Sequence, residues 1–245
     1  MTAAATSADR VAVVTGAGRG IGRAVALELA RAGYSLCLAA RSRDELEETR
    51  SQSGLAPKQA LIVLVDLASE EAPDQLIGTA LDCYGHIDVL VNNAGWAPSR
   101  TPLLKMRTAD LDRMIAVNLR APIALTRLAA AAMTPRGAGT IINVASTAAI
   151  KASAGEAVYA ATKSALIAFT RAAFHEMRRS GLKLSVIVPG LVDTALIPDN
   201  KRLDRGAMLS TADVAQAVMQ ILNSPAGACP VEVILEPQQD PERSR

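Results

Sequence analysis

The sequence predicts an α/β protein built on one doubly wound parallel sheet of about seven strands, with helices on both faces. Three observations carry this. Short β-branched runs alternate with longer helical patterns along the chain. The runs are apolar almost throughout, as strands covered on both faces are, and do not alternate apolar with polar. The chain has 245 residues, 50% of them hydrophobic and 20% charged, which is enough for one large core.

The first strand is VAVVT from Val11, and it runs into a glycine-rich turn. A helix follows from near Ile21, with Val25, Leu29 and Ala32 at the spacing of one buried face. YSLCLAA from Tyr34 is the second strand, before a helix near Arg43. ALIVLVD from Ala60 is the third, before a helix near Glu70. IDVLVNN from Ile87 is the fourth, and the next helix runs from about Thr108 to Met133. GTIINVA from Gly139 is the fifth, followed by a helix from Glu156 to about Arg179. LKLSVIV from Leu182 and PVEVIL from Pro230 are the sixth and seventh, with a helix from Thr211 between them. Strand–helix repetition with right-handed crossovers gives the doubly wound order. Residues 10–236 are expected as one domain, and the ends, 1–9 and 237–245, as flexible tails.

Net charge is +2, from 26 basic and 24 acidic residues, so electrostatics make no case for nucleic acid or a membrane surface. Aromatics are 2%, too few for a platform that stacks bases. No window approaches the uninterrupted apolar length of a membrane span. The start, MTAAATSADR, lacks a basic end and an apolar core, so a cytoplasmic place is expected. Cys37, Cys83 and Cys229 are isolated and lack metal-ligand spacing, and read as reduced thiols. His86 and His175 form no cluster with carboxylates, so no metal is expected.

The first turn reads Thr15-Gly16-Ala17-Gly18-Arg19-Gly20-Ile21-Gly22. Glycines between a first strand and a helix let backbone N–H groups approach a pyrophosphate at the helix N-terminus. The order is G-x-x-x-G-x-G through Gly16, Gly20 and Gly22. Taken alone, it is equally a tight turn that binds nothing, or a site for S-adenosylmethionine. At the tip of the second strand an acid would bind a ribose 2′-hydroxyl and repel a 2′-phosphate. Here Ala40-Arg41-Ser42 stands instead, with Arg19 across the gap. This place is expected to offer only donors, suited to a 2′-phosphate. Tyr159 and Lys163, in YAATK, lie four apart on one helix face, a pair that by itself reads as surface.

With its other signposts the chain resembles a classical short-chain dehydrogenase/reductase of the carbonyl-reductase kind. The family's glycine motif appears as TGAGRGIG, and its acid after the third strand as Asp66, followed by Leu67. Its N-N-A-G is Asn92-Asn93-Ala94-Gly95, and its helix asparagine Asn118. Its serine after the fifth strand is Ser146, in NVAST, and its Y-x-x-x-K is Tyr159 and Lys163. Its P-G after the sixth strand is Pro189-Gly190, followed by Val192 and Thr194. Two features depart. The end, VEVILEPQQDPERSR, is not glycine-rich, and the substrate-covering stretch from Ala195 to Ser210 is short.

The resemblance implies a Rossmann-type sheet and an oxidoreductase that moves hydride between NADP(H) and a carbonyl or secondary alcohol; NAD(H) is less favoured. Cofactor contacts are implied for Gly16, Gly18, Arg19, Gly20, Ile21, Gly22, Arg41, Ser42, Asp66 (toward adenine), Leu67, Asn93, Ala94, Gly95, Pro189, Gly190, Val192 and Thr194. It also implies that Tyr159 transfers the proton, Ser146 donates to the substrate oxygen, and Lys163 holds the nicotinamide ribose. Asn118 anchors a water that links Lys163 to solvent. A free tyrosine has a pKa of about 10, and lowering it toward neutrality takes roughly 4 kcal/mol. Lys163 and an oxidised nicotinamide are expected to share that work. Thr147 is expected to be structural. Trp96, Ala148, Glu156, Leu191 and Leu196 are expected to face the substrate, with Glu156 alternatively serving its helix's first turn. An alternative substrate is a 3-oxoacyl thioester, with a carrier protein docking on Arg100, Lys105, Arg107, Lys201, Arg202 and Arg205. A non-catalytic nucleotide-binding regulator ranks last, because Tyr159 and Lys163 are both present. The alanine-rich helices 108–133 and 156–179 are apolar on more than one face, and the family resemblance pairs them into a homodimer or tetramer.

Overall fold

The computed structural model of the chain describes residues 10–98, 100–195, 197, 200 and 203–241. Seven strands form one sheet: β1 (Arg10–Thr15), β2 (Tyr34–Ala40), β3 (Ala60–Leu64), β4 (Val89–Asn92), β5 (Gly139–Val144), β6 (Leu182–Pro189) and β7 (Glu232–Leu235). Their order is β3-β2-β1-β4-β5-β6-β7, and every neighbouring pair is parallel. The helices are α1 (Gly20–Arg31), α2 (Arg43–Ser53), α3 (Ala72–Tyr84), α4 (Thr108–Ile115), α5 (Ala121–Met133), α6 (Ala157–Met177) and α7 (Thr211–Leu222).

Successive strand residues point to opposite faces, and β1 shows the consequence. Ala12 and Val14 join a core with Val25 and Leu29 of α1 and Val214 and Val218 of α7. Val13, between them, joins Leu76 of α3 and Leu125 of α5 on the other face. Both layers are apolar, which is why the strands read as continuous apolar runs. Strand order reverses between β1 and β4. The chain leaves β1 for one face and β4 for the other, so a crevice opens beyond the carboxyl ends of these strands.

Two elements differ from expectation. The helix expected from Thr108 to Met133 is interrupted by a π-helical turn, Ala116–Arg120. Pro122 has no N–H to return to the Asn118 carbonyl four residues back, so the regular ladder cannot continue there. The run Thr108–Arg136 holds an 18-residue window of mean hydropathy 1.2, long and apolar enough by composition alone for a membrane span. It is 56% buried, however, and Leu125, Ala129 and Met133 belong to the core. The last described residues, 237–241, do not stand apart as a tail. Pro241 is buried, and its carbonyl accepts from the Asp204 N–H at 2.8 Å. Residues 1–9 and 242–245, also expected as tails, lie outside the described residues.

Candidate active site

A cleft of about 1680 Å³ lies over the crevice. Its floor starts at the glycine turn. Gly16 and Gly20 take φ of +64° and +56°, left-handed values that favour glycine. At Gly22 a Cβ would stand 2.1 Å from the Gly16 carbonyl oxygen, so this glycine lets α1 pack onto the turn. It does not line the cleft itself. No side chain caps the N-terminus of α1, and its first turn holds no acid. Gly20 and Ile21 there face the cleft, leaving backbone N–H groups for an anion.

A threonine outside the expected site holds this turn to the next one. Thr15 Oγ1 accepts from the Asn93 and Ala94 N–H groups, each at 3.0 Å, and donates to the Val91 carbonyl at 3.3 Å. Asn93 Nδ2 donates to the Thr15 carbonyl at 2.9 Å. Thr15 directly precedes the glycines, and a polar side chain ending a buried strand is the signal that could have found it.

Arg19, Arg41, Ser42, Asp66 and Leu67 line one end of the cleft. Arg41 is exposed and makes no ion pair among the described residues. Ser42 caps α2, its Oγ accepting from the Glu45 N–H at 3.3 Å. The expectation of donors alone is corrected here. Glu45 Oε1 is 3.6 Å from Arg19 Nη1, and Oε2 would be 3.0 Å from a Cβ at Gly18. The first turn of α2 swings this acid over the glycine loop, a contact that helix spacing does not reveal. Asp66 is engaged too: Arg113 Nη2 donates to its two oxygens at 3.0 and 2.8 Å, and the Ala68 N–H at 3.1 Å. Burial works to raise the Asp66 carboxyl, but these hydrogen bonds outweigh it and hold it below the usual range.

At the other end Ser146, Tyr159, Lys163, Pro189, Gly190, Val192 and Thr194 converge with Ala94 and Gly95. Ser146 follows β5 in extended backbone, its hydroxyl accepts from the Ala148 N–H at 3.2 Å, and it lines the cleft together with Tyr159. Lys163, one turn on in α6, is only 3% exposed; its Nζ donates to the Val144 carbonyl at 2.8 Å. That nitrogen lies 5.8 Å from the Tyr159 ring centre. Burial pushes the Tyr159 phenol up, which the Ser146 hydrogen bond only partly offsets, and the Glu156 charge adds to the rise. Burial pushes Lys163 down to about 8.

Asn118 is fully buried in the π turn and does not line the cleft. Its Oδ1 accepts from the Trp96 N–H at 2.7 Å and its Nδ2 donates to the Trp96 carbonyl at 2.8 Å. The side chain is thus committed to Trp96.

Trp96, Ala148, Glu156 and Leu191 line the cleft; Leu196 lies outside the described residues. Thr147 also lines it, and begins the short 3₁₀ turn that Ser146 caps. Glu156 lines the cleft but makes no cap hydrogen bond to the first turn of α6; it precedes that helix, accepts from the Ser153 N–H at 3.1 Å and pairs with Arg100 Nε at 2.8 Å. Glu236, Pro237, Asp240 and Pro241 complete the wall from the chain end.

These motifs lie where one protein family keeps them, and a model of the short chain dehydrogenases matches residues 10–203. The chain is a short-chain dehydrogenase/reductase. Among relatives of this short-chain dehydrogenase/reductase, an uncharacterized oxidoreductase of Staphylococcus aureus (strain MRSA252) is 33% identical over 229 residues, 94% of this chain and 97% of that one. Another, of Mycobacterium tuberculosis (strain CDC 1551 / Oshkosh), is 42% identical over 118 residues, 48% of this chain and 44% of that one. A metagenomic short-chain oxidoreductase solved in complex with NADP superposes with TM-score 0.83 at 32% identity, covering 96% of this chain and 100% of that one. A structure provisionally named a betaketoacyl-ACP reductase gives 0.81 at 28%, covering 94% and 98%.

Proposed function

We propose that this dehydrogenase/reductase interconverts a carbonyl and a secondary alcohol with NADP(H), using Ser146, Tyr159 and Lys163. One observation carries the reading: the Ser146 and Tyr159 side chains line the cleft beside a buried lysine at the crevice of the sheet. The cradle suits a dinucleotide, with glycines where a Cβ would collide and an uncapped α1 N-terminus for its phosphates. Exposed Arg41, at the cleft wall, suits a 2′-phosphate, and a similar solved protein binds NADP. When bound, the dinucleotide supplies or takes the hydride.

The chain's own part is proton handling. Ser146 donates to the substrate oxygen where charge develops, and Tyr159 gives or takes the proton at that oxygen. Lys163 sits within reach of both the phenol ring and the Val144 carbonyl, placed to hold a ribose hydroxyl. Burial raises the Tyr159 phenol and lowers Lys163 to about 8, so in the free chain the phenol stays protonated and positive charge added in the cleft favours the phenolate.

Reduction of a 3-oxoacyl thioester uses the same machinery, and one similar structure carries that provisional name. The docking patch it needs is not favoured. Arg100 pairs with Glu156, Arg107 with both oxygens of Asp110, and Arg205 with Asp193. Lys105 remains exposed, and Lys201 and Arg202 lie outside the described residues. A mouth whose cations carry their own acids attracts an acidic carrier protein weakly. The test is NADPH oxidation against free ketones, diketones, quinones and 3-oxoacyl thioesters, with and without carrier protein. Free carbonyls should turn over at least as well as carrier-bound ones. A strict need for the carrier would shift the assignment to the thioester.

A further inference from the structure

We propose that Glu236 is a specificity-determining residue, whose carboxylate selects carbonyl substrates that carry a cationic group at their far end over those that carry a carboxylate. The inference rests on the carbonyl reading above and narrows its substrate.

The sheet fixes where this acid stands. β5, β6 and β7 lie side by side, with Val144 opposite Ile187 and Pro189 opposite Leu235. Ser146, Gly190 and Glu236 therefore each follow the carboxyl end of their strand, on one rim of the cleft. Neighbouring strands are about 4.8 Å apart, so Glu236 starts roughly 10 Å across from Ser146, a span that one small substrate covers. The Gly190 N–H donates to the Leu235 carbonyl at 2.8 Å, which carries the strand pairing up to the rim. A Cβ at Gly190 would stand 2.7 Å from Glu236 Oε2 and 2.9 Å from Pro237 Cδ, so the missing side chain lets the chain end close over this glycine. Further on, the Asp204 N–H donates to the Pro241 carbonyl at 2.8 Å and Pro241 is buried, so the wall is anchored at both ends.

The charges around Glu236 leave its carboxylate open to a ligand. Its ion-pair partner, Lys151, is 3.8 Å away and 81% exposed, against 49% for Glu236. An exposed pair at that distance holds weakly and yields to an incoming cation. Glu156, which also lines the cleft, is committed to Arg100 Nε at 2.8 Å. Asp240, farther along the same wall, has the same sign as Glu236. A substrate whose carbonyl sits at Ser146 and Tyr159 thus points its far end to a carboxylate. An ammonium there gains a charge-assisted hydrogen bond, and a carboxylate meets like charge.

The experiment is calorimetry on the full-length protein, first with NADPH and then, on the NADPH-loaded protein, with benzylammonium and benzoate as unreactive probes of the two charges. Wild type should bind benzylammonium at least about tenfold more tightly than benzoate, the scale of one charge-assisted hydrogen bond. Glu236→Gln keeps the shape and should bring the two probes within about threefold of each other, while Lys151→Gln should keep the wild-type order. The proposal is overturned if benzoate binds wild type as tightly as benzylammonium, or if neither probe binds. Retention of the wild-type ratio in Glu236→Gln, or its loss in Lys151→Gln, overturns it as well. If NADPH gives no heat and the wild-type ratio still stands in the free protein, the cofactor reading falls and the selection by Glu236 holds.

Discussion

Ala40 and Arg41 end β2 beside the glycine turn, where the choice between the two dinucleotides is made. Arg41 is exposed and unpaired among the described residues, whereas Arg19 is 65% exposed and drawn toward Glu45. One firm charge-assisted bond to a 2′-phosphate is therefore expected rather than two. Such a bond is worth about 1.5–3 kcal/mol, and each 1.4 kcal/mol is about tenfold in affinity. After losses to solvent screening, kcat/KM should favour NADPH over NADH by roughly tenfold. Ala40→Asp combined with Arg41→Ala should weaken or invert that ratio, since it removes a donor and adds repulsion. A wild-type preference for NADH would mean that Arg41 serves only solvent. Here the reading from sequence was half complete. An absent acid at the strand tip is visible in Ala40, but the acid that α2 folds back over Gly18 is not.

At the scale of elements, two turns must keep a fixed spacing for the cleft to exist. Thr15 staples the turn after β1 to the turn after β4, with one hydroxyl serving two N–H groups. Thr15→Val keeps the shape but leaves the Ala94 N–H without that acceptor. A buried donor left unsatisfied costs about 1–3 kcal/mol. For a chain of this size about 2–4 °C of Tm accompanies each kcal/mol. The variant should therefore melt several degrees lower and bind NADPH more weakly, as calorimetry can check. An unchanged Tm with unchanged affinity would show that Asn93 alone holds the turns. Strands, helices and the glycine turn were legible because their signals are local: apolar runs, 3.6-residue spacing and glycines at fixed offsets. Arg113 beside Asp66, and residues 236–241 in the cleft wall, were not legible. Those contacts join segments that only the sheet order brings together. The π turn was legible in principle, through Pro122 four residues after Asn118.

For the whole molecule, α6 turns an outer face of Ala161, Ser164, Ala168 and Ala172 to the surface. Ile115 on α4 is 41% exposed, and Leu103 and Leu104 just before it are 61% and 100% exposed. Helices this apolar are expected to be covered, and a second copy of the same faces fits a two-fold four-helix contact. Sedimentation should find at least a dimer. A concentration-independent monomer of 25.5 kDa would contradict this.

The central claim is that the Tyr159 hydroxyl carries the proton in a carbonyl–alcohol interconversion. Its most direct measurement is NADPH oxidation with one reducible ketone, in wild type and Tyr159→Phe, with NADPH affinity measured in parallel. The phenylalanine variant keeps the ring and loses only the hydroxyl. Turnover should fall by at least about 10²–10⁴-fold, the contribution of a positioned acid or base, while the dissociation constant for NADPH stays within a few-fold. Wild-type-like turnover in Tyr159→Phe, with cofactor bound, would contradict the account.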